Sequence, residues 1–296
     1  MSRVTGEYNM SRLANSAVLV KLNIGVWAAR KRNKAVEREV AAIKKADPSA
    51  MSLYDNLMVG SQDHKEIQNF AAKVRHWHAA RTLPWDERGF RLCSTRMFME
   101  YKQEHNVMRD TFENLVRAYE HRYESYLDKA EMLRGDVFNA GDYPSVTEVM
   151  SKYTWNLTVS PVPESGHLCI DLPKEELEEV IKSCDDEVER RVQEAAKEND
   201  NRLLSELTSL MEKCTDAEDF VKGKGSRFHP SFVTTQIQNC RWAKAMNINN
   251  NPKIDEACTK LEAMMKGRTP EMFKESASLR KEVQQEVASI IKTYDW

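Results

Sequence analysis

Glycine and proline are scarce in this chain, ten and nine of 296 residues, so the residues that most often interrupt helices are few. Its six cysteines, Cys93, Cys169, Cys184, Cys214, Cys240 and Cys258, are widely scattered. No two have the close spacing of a zinc knuckle or a redox dithiol, so they read as isolated thiols in a reducing cytoplasm. A strong net charge is missing too: −2 overall argues against a surface given over wholly to nucleic acid. No run approaches the roughly 20 apolar residues that span a bilayer. Ser16 to Ala29 is fairly apolar and follows Arg3 and Arg12, like a secretion signal, but Lys21 and Asn23 interrupt it. A basic segment also stands where a cleavage site belongs, so no membrane association is expected.

What the chain has in quantity is helix-forming sequence, with 41% hydrophobic and 30% charged residues. From Met108 the apolar positions run Phe112, Leu115, Tyr119, Tyr123, Tyr126, Ala130, Leu133 and Val137, in steps of three and four. A second series runs Leu177, Ile181, Cys184, Val188, Val192, Ala195, Leu203, Leu207, Leu210 and Cys214, slackening where polar Asn199 falls on the seam. This spacing keeps one stripe on one face of a helix. Each segment is about 40 residues and so roughly 60 Å long. An exposed stripe of that length needs a partner, and antiparallel pairing of the two makes a rigid spacer; a coiled coil between chains is the competing solution.

Between the two series the period changes to two. Trp155, Leu157 and Val159 alternate with polar residues, Pro161 to Gly166 turn the chain, and Leu168, Ile170 and Leu172 alternate again, predicting a β-hairpin over about 153–172. A short helix is expected near Ser145–Lys152, and Pro173 with the following glutamates suits a helix start. Alternation from Val18 predicts a strand up to Gly25. Ala29, Val36, Val40 and Ile43 predict a basic helix to about Lys45, closed by Asp47-Pro48. Another helix starts near Asp63, with Ile67, Phe70, Val74 and Trp77 as its stripe. It stops at Thr82-Leu83-Pro84-Trp85, and 86–94 reads as an ordered loop. Helices near Ser231–Met246, Lys253–Lys266 and Pro270–Tyr294 follow.

The expected fold is therefore mainly α: a long antiparallel, coiled-coil-like helical hairpin with a small β-hairpin element and a C-terminal bundle of short helices. Three segments divide it: 1–94 (strand and helices), 95–216 (the hairpin) and 217–296 (C-terminal helices).

Chemistry-bearing motifs are thin. His76 and His78 are two apart on a helix and point to nearly opposite sides, so they cannot chelate one metal. His105 and His121 read as solvent-facing on the first long helix. Gly223-Lys224-Gly225-Ser226 lacks the earlier glycine and preceding strand of a phosphate loop. Asp185-Asp186-Glu187 diverge on a helix surface and form no acid/base pair. There is no nucleophile elbow and no dinucleotide fingerprint. No catalytic residue, metal ligand or cofactor is expected, and the chain reads as non-enzymatic.

Charge, by contrast, is unevenly placed. Residues 26–45 hold seven bases and two acids, whereas 174–200 hold five bases and eleven acids. Trp27, Arg30, Lys31, Arg32 and Lys34, with Trp85 and Trp155, are the candidate interaction surface. The basic helix 27–45 would contact phosphates, with Trp27 stacking beside it, or meet an acidic protein surface.

Leu19-Val20-Lys21-Leu22-Asn23-Ile24 leads into Trp27-Ala28-Ala29-Arg30-Lys31. Thr82-Leu83-Pro84-Trp85 precedes Gly89-Phe90-Arg91-Leu92, and Val159-Ser160-Pro161-Val162-Pro163 precedes an acidic helix. These dispersed blocks resemble a phage-encoded family catalogued as domain of unknown function 3150. The resemblance implies no catalytic or metal residue. It implies a bacteriophage protein of the host cytoplasm or virion, often encoded near MoxR-type AAA+ ATPases. A protein partner, such an ATPase or a second copy, is the leading expectation; nucleic acid is the alternative.

Overall fold

A computed structural model describes residues 15–163, 173–215 and 228–294. It is mainly helical, as expected. In chain order the elements are β1 (Ala17–Gly25), β2 (Arg30–Arg32), α1 (Lys34–Lys44), β3 (Tyr54–Asn56), α2 (Gln62–Ala80), β4 (Leu83–Pro84) and β5 (Arg91–Ser94). Then come α3 (Thr95–Arg134), α4 (Val146–Met150), β6 (Thr154–Pro161), α5 (Lys174–Thr215), α6 (Phe232–Ala245), α7 (Pro252–Met265), α8 (Pro270–Glu275) and α9 (Ala277–Tyr294). One sheet has the strand order β4-β5-β1-β6, and β2 and β3 form a separate two-stranded sheet.

Two compact units divide the chain, each assembled from separated stretches. The first comprises Met1–Lys21, Ala79–Tyr101 and Thr158–Trp296; the second comprises Leu22–His78 and Lys102–Leu157. This division cuts across the three consecutive segments expected from the sequence.

In the first unit α5 packs along α9, and α6 along α7. The predicted stripe of α5 enters this core: Leu203, Leu207, Leu210 and Cys214 are buried with Cys240, Ile254, Leu261, Val283, Val287 and Ile290. Phe228, Phe232 and Phe273 close it, with ring centroids 4.8–5.4 Å apart. Such aromatic pairs add about 0.5–1.5 kcal/mol each beyond area burial. Asn199, the polar break in the stripe, is buried and donates through Nδ2 to the Ala243 carbonyl at 3.0 Å, at the end of α6. An asparagine turn follows α6, where the Asn251 amide donates to Asn247 Oδ1 (2.8 Å) and Asn247 Nδ2 to the Asn251 carbonyl (2.9 Å). Asn251 then caps α7 by accepting from the Lys253 amide.

Two arginines tie the end of α2 and the start of β4 to this unit. Arg91 Nη2 and Arg202 Nη1 both donate to the Ala79 and Thr82 carbonyls, at 2.9–3.3 Å. Cationic donors suit these carbonyls, which a helix end leaves without intrahelical partners.

In the second unit the stripe of α3 is covered by aromatic and histidine side chains. Phe112 lies against Trp155 (5.3 Å), Tyr119 against His64 (5.7 Å) and Tyr153 (5.9 Å), and Tyr123 against Trp27 (6.4 Å). The Tyr123 hydroxyl donates to the Pro144 carbonyl at 2.7 Å. Gly25, at the end of β1, permits close approach of the chain entering β6. A Cβ there would lie 2.4 Å from Thr154 Oγ1 and 2.9 Å from the Lys152 carbonyl oxygen.

Several expectations need correction. Both long helices exist, but the surfaces found to cover them differ from the expected hairpin: α5 packs along α9, and α3 from Lys102 onward packs against the Trp27–His64–Tyr153–Trp155 layer. Leu133, in the last turn of α3, and Val137, beyond its end at Arg134, continue the period yet are exposed. The first arm of the predicted β-hairpin is β6, which joins β1; Leu168, Ile170 and Leu172 lie outside the described residues, as does 223–226. The basic stretch is not one helix. Its bases at 30–32 are a strand, and α1 buries Glu37 and Ala41 while Ile43 is 76% exposed. The 86–94 stretch contains β5, antiparallel to β1 with Leu92 opposite Leu19. The last predicted helix is broken at Ser276, whose Oγ accepts from the Leu279 amide and so restarts the chain as α9.

Candidate interaction surfaces

The basic residues lie on a small ribbon in the second unit. β2 and β3 pair antiparallel with Arg30 opposite Asn56, Lys31 opposite Asp55 and Arg32 opposite Tyr54. Two backbone bonds clamp its ends: the Leu57 amide donates to the Ala29 carbonyl (2.8 Å) and the Asn33 amide to the Leu53 carbonyl (2.9 Å). Side chains alternate between faces of a strand, so Arg30, Arg32, Tyr54 and Asn56 share one face, and Lys31 and Asp55 the other. The second face is neutralised: Lys31 is ion-paired with Asp142, and Asp55 with Arg134 at 2.8 Å. The first face presents the Arg30 guanidinium and that of Arg32, which is paired with Glu37, beside Tyr54, 58% exposed.

A buried carboxylate supports that ribbon from α1. Glu37 Oε1 accepts from Arg32 Nε (2.7 Å) and from the Leu53 amide (2.9 Å). The Arg32 hydrogen bond, helped by the Leu53 amide and opposed by burial, holds the Glu37 carboxyl below its usual range. Asn33 joins strand to helix: its Oδ1 caps α1 at the Val36 amide (3.1 Å) while its Nδ2 reaches Asp55. Lys34 is exposed at the start of α1.

Trp27 and Trp155 are not surface platforms. Trp27 is 8% exposed, edge-on to His64 at 5.8 Å, with Lys152 Nζ 5.8 Å above its ring. Trp155 is half-buried and donates from Nε1 to His105 Nε2 at 2.8 Å. His105, expected to face solvent, is therefore buried, whereas His121 is exposed as expected. His76 is exposed and His78 buried, on different sides of α2 as their spacing requires.

His64 stands at the centre of this layer. Its Nδ1 lies 2.9 Å from the Tyr153 hydroxyl and its Nε2 2.9 Å from Gln68 Nε2. The amide NH₂ of Gln68 donates, so Nε2 accepts and the neutral ring carries its proton on Nδ1, an assignment made from the network. Burial pushes the His64 pKa down to about 4. Burial also pushes Cys93 up to about 12 and Cys214 up to about 11. Thiols held protonated in this way are poor nucleophiles and metal ligands.

The first unit carries Trp85 in an open pocket of about 670 Å³. The turn after β4 builds it: the Trp85 and Asp86 amides donate to the Phe90 carbonyl (3.2 and 3.3 Å), and Asp86 Oδ1 accepts from the Phe90 amide (2.9 Å). Gly89, with φ +89°, takes the left-handed position in that turn. The facing wall is α5. Arg191 lies over the Trp85 ring at 5.9 Å, leaving Trp85 5% exposed. Glu187 accepts from Arg190 (2.8 and 2.9 Å) and Arg191 (2.7 Å), and Arg190 also reaches Glu194. The Arg190 hydrogen bonds, with Arg191, pull the Glu187 pKa down to about 2. Arg88, Glu87 and Asp86 form the opposite rim. The pocket thus presents ordered charges of both signs, braced on the buried Trp85 ring and complementary to charged and polar polypeptide side chains.

Comparison of the chain with family models, with curated proteins and with solved structures found no match. Among the described residues no three His, Cys, Asp or Glu side chains are grouped to hold a metal ion, and no helix is long and apolar enough to cross a membrane. Sequence reasoning selected Arg30 and Arg32, which lie on the ribbon surface, and Trp85, which is buried beneath the pocket. It missed Tyr54 and Glu37: three-residue strands are too short to show a period of two, and nothing local marks a glutamate as buried.

Proposed function

We propose that this chain is a non-enzymatic interaction protein of a bacteriophage, and that the Trp85 pocket docks a protein partner. The pocket carries this reading. Arginine is among the residues that most often anchor protein interfaces, and here Arg190 and Arg191 are held in place by Glu187 and Glu194, with the buried Trp85 ring supporting Arg191 from below. The sequence resemblance to the phage family supplies the partner, a MoxR-type AAA+ ATPase, and the setting, the host cytoplasm or the virion. The chain then acts as an adaptor or substrate of that ATPase. A spacer role for the long helices is not part of the reading, since the surfaces that cover them are not those of the expected hairpin.

The test is co-expression with a MoxR-type ATPase encoded beside such a gene, followed by light scattering on the purified complex. A complex is expected at micromolar concentration. R190A should weaken it by about 2 kcal/mol, or roughly 30-fold, the scale of an interface anchor. No complex at tens of micromolar, or a complex indifferent to both R88A and R190A, removes the proposal.

A further inference from the structure

The β2–β3 ribbon lies in the other unit from the Trp85 pocket and has a different chemistry. The geometry points to single-stranded nucleic acid as the ligand of its Arg30–Arg32–Tyr54–Asn56 face. The register carries the argument. Arg30 and Arg32 are two strand residues apart, about 7 Å along the chain, and project to the same side. Tyr54 stands directly across from Arg32, and Asn56 across from Arg30. Two cations in line with an exposed aromatic ring and an amide are the elements of a single-strand site: guanidinium groups for successive phosphates, a ring for an unstacked base, an amide for its edge. A duplex keeps its base faces stacked, so it leaves Tyr54 without a role.

Charge around the ribbon leaves this face net positive through Arg30, Lys34 and Arg38, with Arg32 matched by Glu37. Glu37 is turned inward on Arg32, Asp55 is paired with Arg134, and Asp142 is paired with Lys31 on the opposite face. α1 adds Lys34 and Arg38, both exposed and one turn apart. Glu39 is the exposed acid between them and the end of the helix. The site therefore differs from the basic helix expected from sequence. Trp27 is core, and Tyr54 takes the stacking role.

The experiment is fluorescence anisotropy of the full chain with a labelled oligothymidylate of about 16 nucleotides, the upper site size of small single-strand binders. The same length of duplex and unlabelled polyglutamate serve as comparison ligands. The expected result is single-strand binding at low salt, with a log–log salt slope near −3, from about four phosphate contacts at roughly 0.7 each. Tyr54→Ala should weaken it at least about fivefold while Tyr54→Phe keeps it, and Arg30→Ala should lower the slope by about 0.7. Arg30 is chosen over Arg32 because Arg32→Ala would strand the buried Glu37. Both Tyr54 and Arg30 are exposed, and unchanged far-UV circular dichroism will confirm that the variants fold. Arg190→Ala should leave binding intact, so this inference and the docking proposal stand or fall separately. No binding at low salt overturns the inference. So does equal binding of duplex with Tyr54→Ala silent, which marks a general polyanion surface, or displacement by polyglutamate at equal charge, which marks an acidic protein as the ligand.

Discussion

Lowering the pH from 7.5 to 5.0 should destabilise the second unit, in which burial lowers the pKa of both His64 and His105 and His64 can be isolated by substitution. His64 is 5% exposed, and its neutral ring is satisfied at both nitrogens, by Tyr153 and by Gln68. A proton added at Nε2 meets the donating amide of Gln68 and brings a charge into a layer of Trp27, Tyr119 and Tyr153. Burial accordingly places the folded pKa at about 4, against about 6.5 in an unfolded chain. The unfolded state therefore binds more protons between those values, and stability falls as pH drops below about 6.5 until the loss is complete below about 4. The whole difference is about 3 kcal/mol, of which about 2 kcal/mol has been lost by pH 5. Urea unfolding followed by tryptophan fluorescence should show this as a midpoint lower by ~1 M or more. The comparison is with H64Q, which keeps hydrogen-bonding capacity without titrating. H64Q is expected to start less stable at pH 7.5 but to lose about 2 kcal/mol less on going to pH 5. Equal losses in the two proteins, or a His64 ring that titrates near pH 6.5 by NMR, would refute the reasoning.

Three further substitutions probe the fold. Asn199→Ala removes the donor to the Ala243 carbonyl in a buried setting and should cost about 1–2 kcal/mol, read as a lowered urea midpoint. Leu210→Ala, at a fully buried position among α5, α6 and α9 side chains, should cost about 2–5 kcal/mol by the same measurement. Gly25→Ala would press a methyl group into the Lys152 carbonyl. A cost of about 1–3 kcal/mol is expected, with faster amide exchange localised to the start of β6. If G25A left those amides as protected as before, the close approach of the two strands would be wrong.

Which faces are apolar was legible from the sequence; which surface covers each face was not. The α5 stripe runs into its core at Leu203, Leu207, Leu210 and Cys214, as its spacing requires. Spacing is a property of one helix, however, and it holds equally for any partner with a complementary groove. That is why α9, whose stripe of Val283, Val287 and Ile290 is shorter, could take the place expected for α3. The polar break at Asn199 held the missing information in another form. A buried amide needs a carbonyl to bond, and the carbonyl it found belongs to α6 of the C-terminal bundle. A period also does not say where burial stops, as Leu133 and Val137 show by continuing the α3 pattern into solvent.

The ribbon shows the converse case, in which residues that read as helix form a turn and a strand. Trp27 and Ala29 are buried while Ala28 and Arg30 are exposed, and Ala29 takes a left-handed backbone conformation (φ +50°) at the entry to β2. Reading those residues as helix placed Trp27 beside the bases, as a stacking partner. A turn through the left-handed Ala29, followed by the strand, sends Trp27 inward to His64 and Arg30 outward. The choice between helix and strand could not be made within 27–32, because β2 acquires its conformation from β3, more than 20 residues later, through the Arg30–Asn56 and Arg32–Tyr54 pairs. Short strands owe their geometry to such cross-strand partners more than to their own composition. The same pairing that hid the ribbon in the sequence is what sets Tyr54 beside Arg32, so the feature least legible locally is also the one that creates the candidate surface.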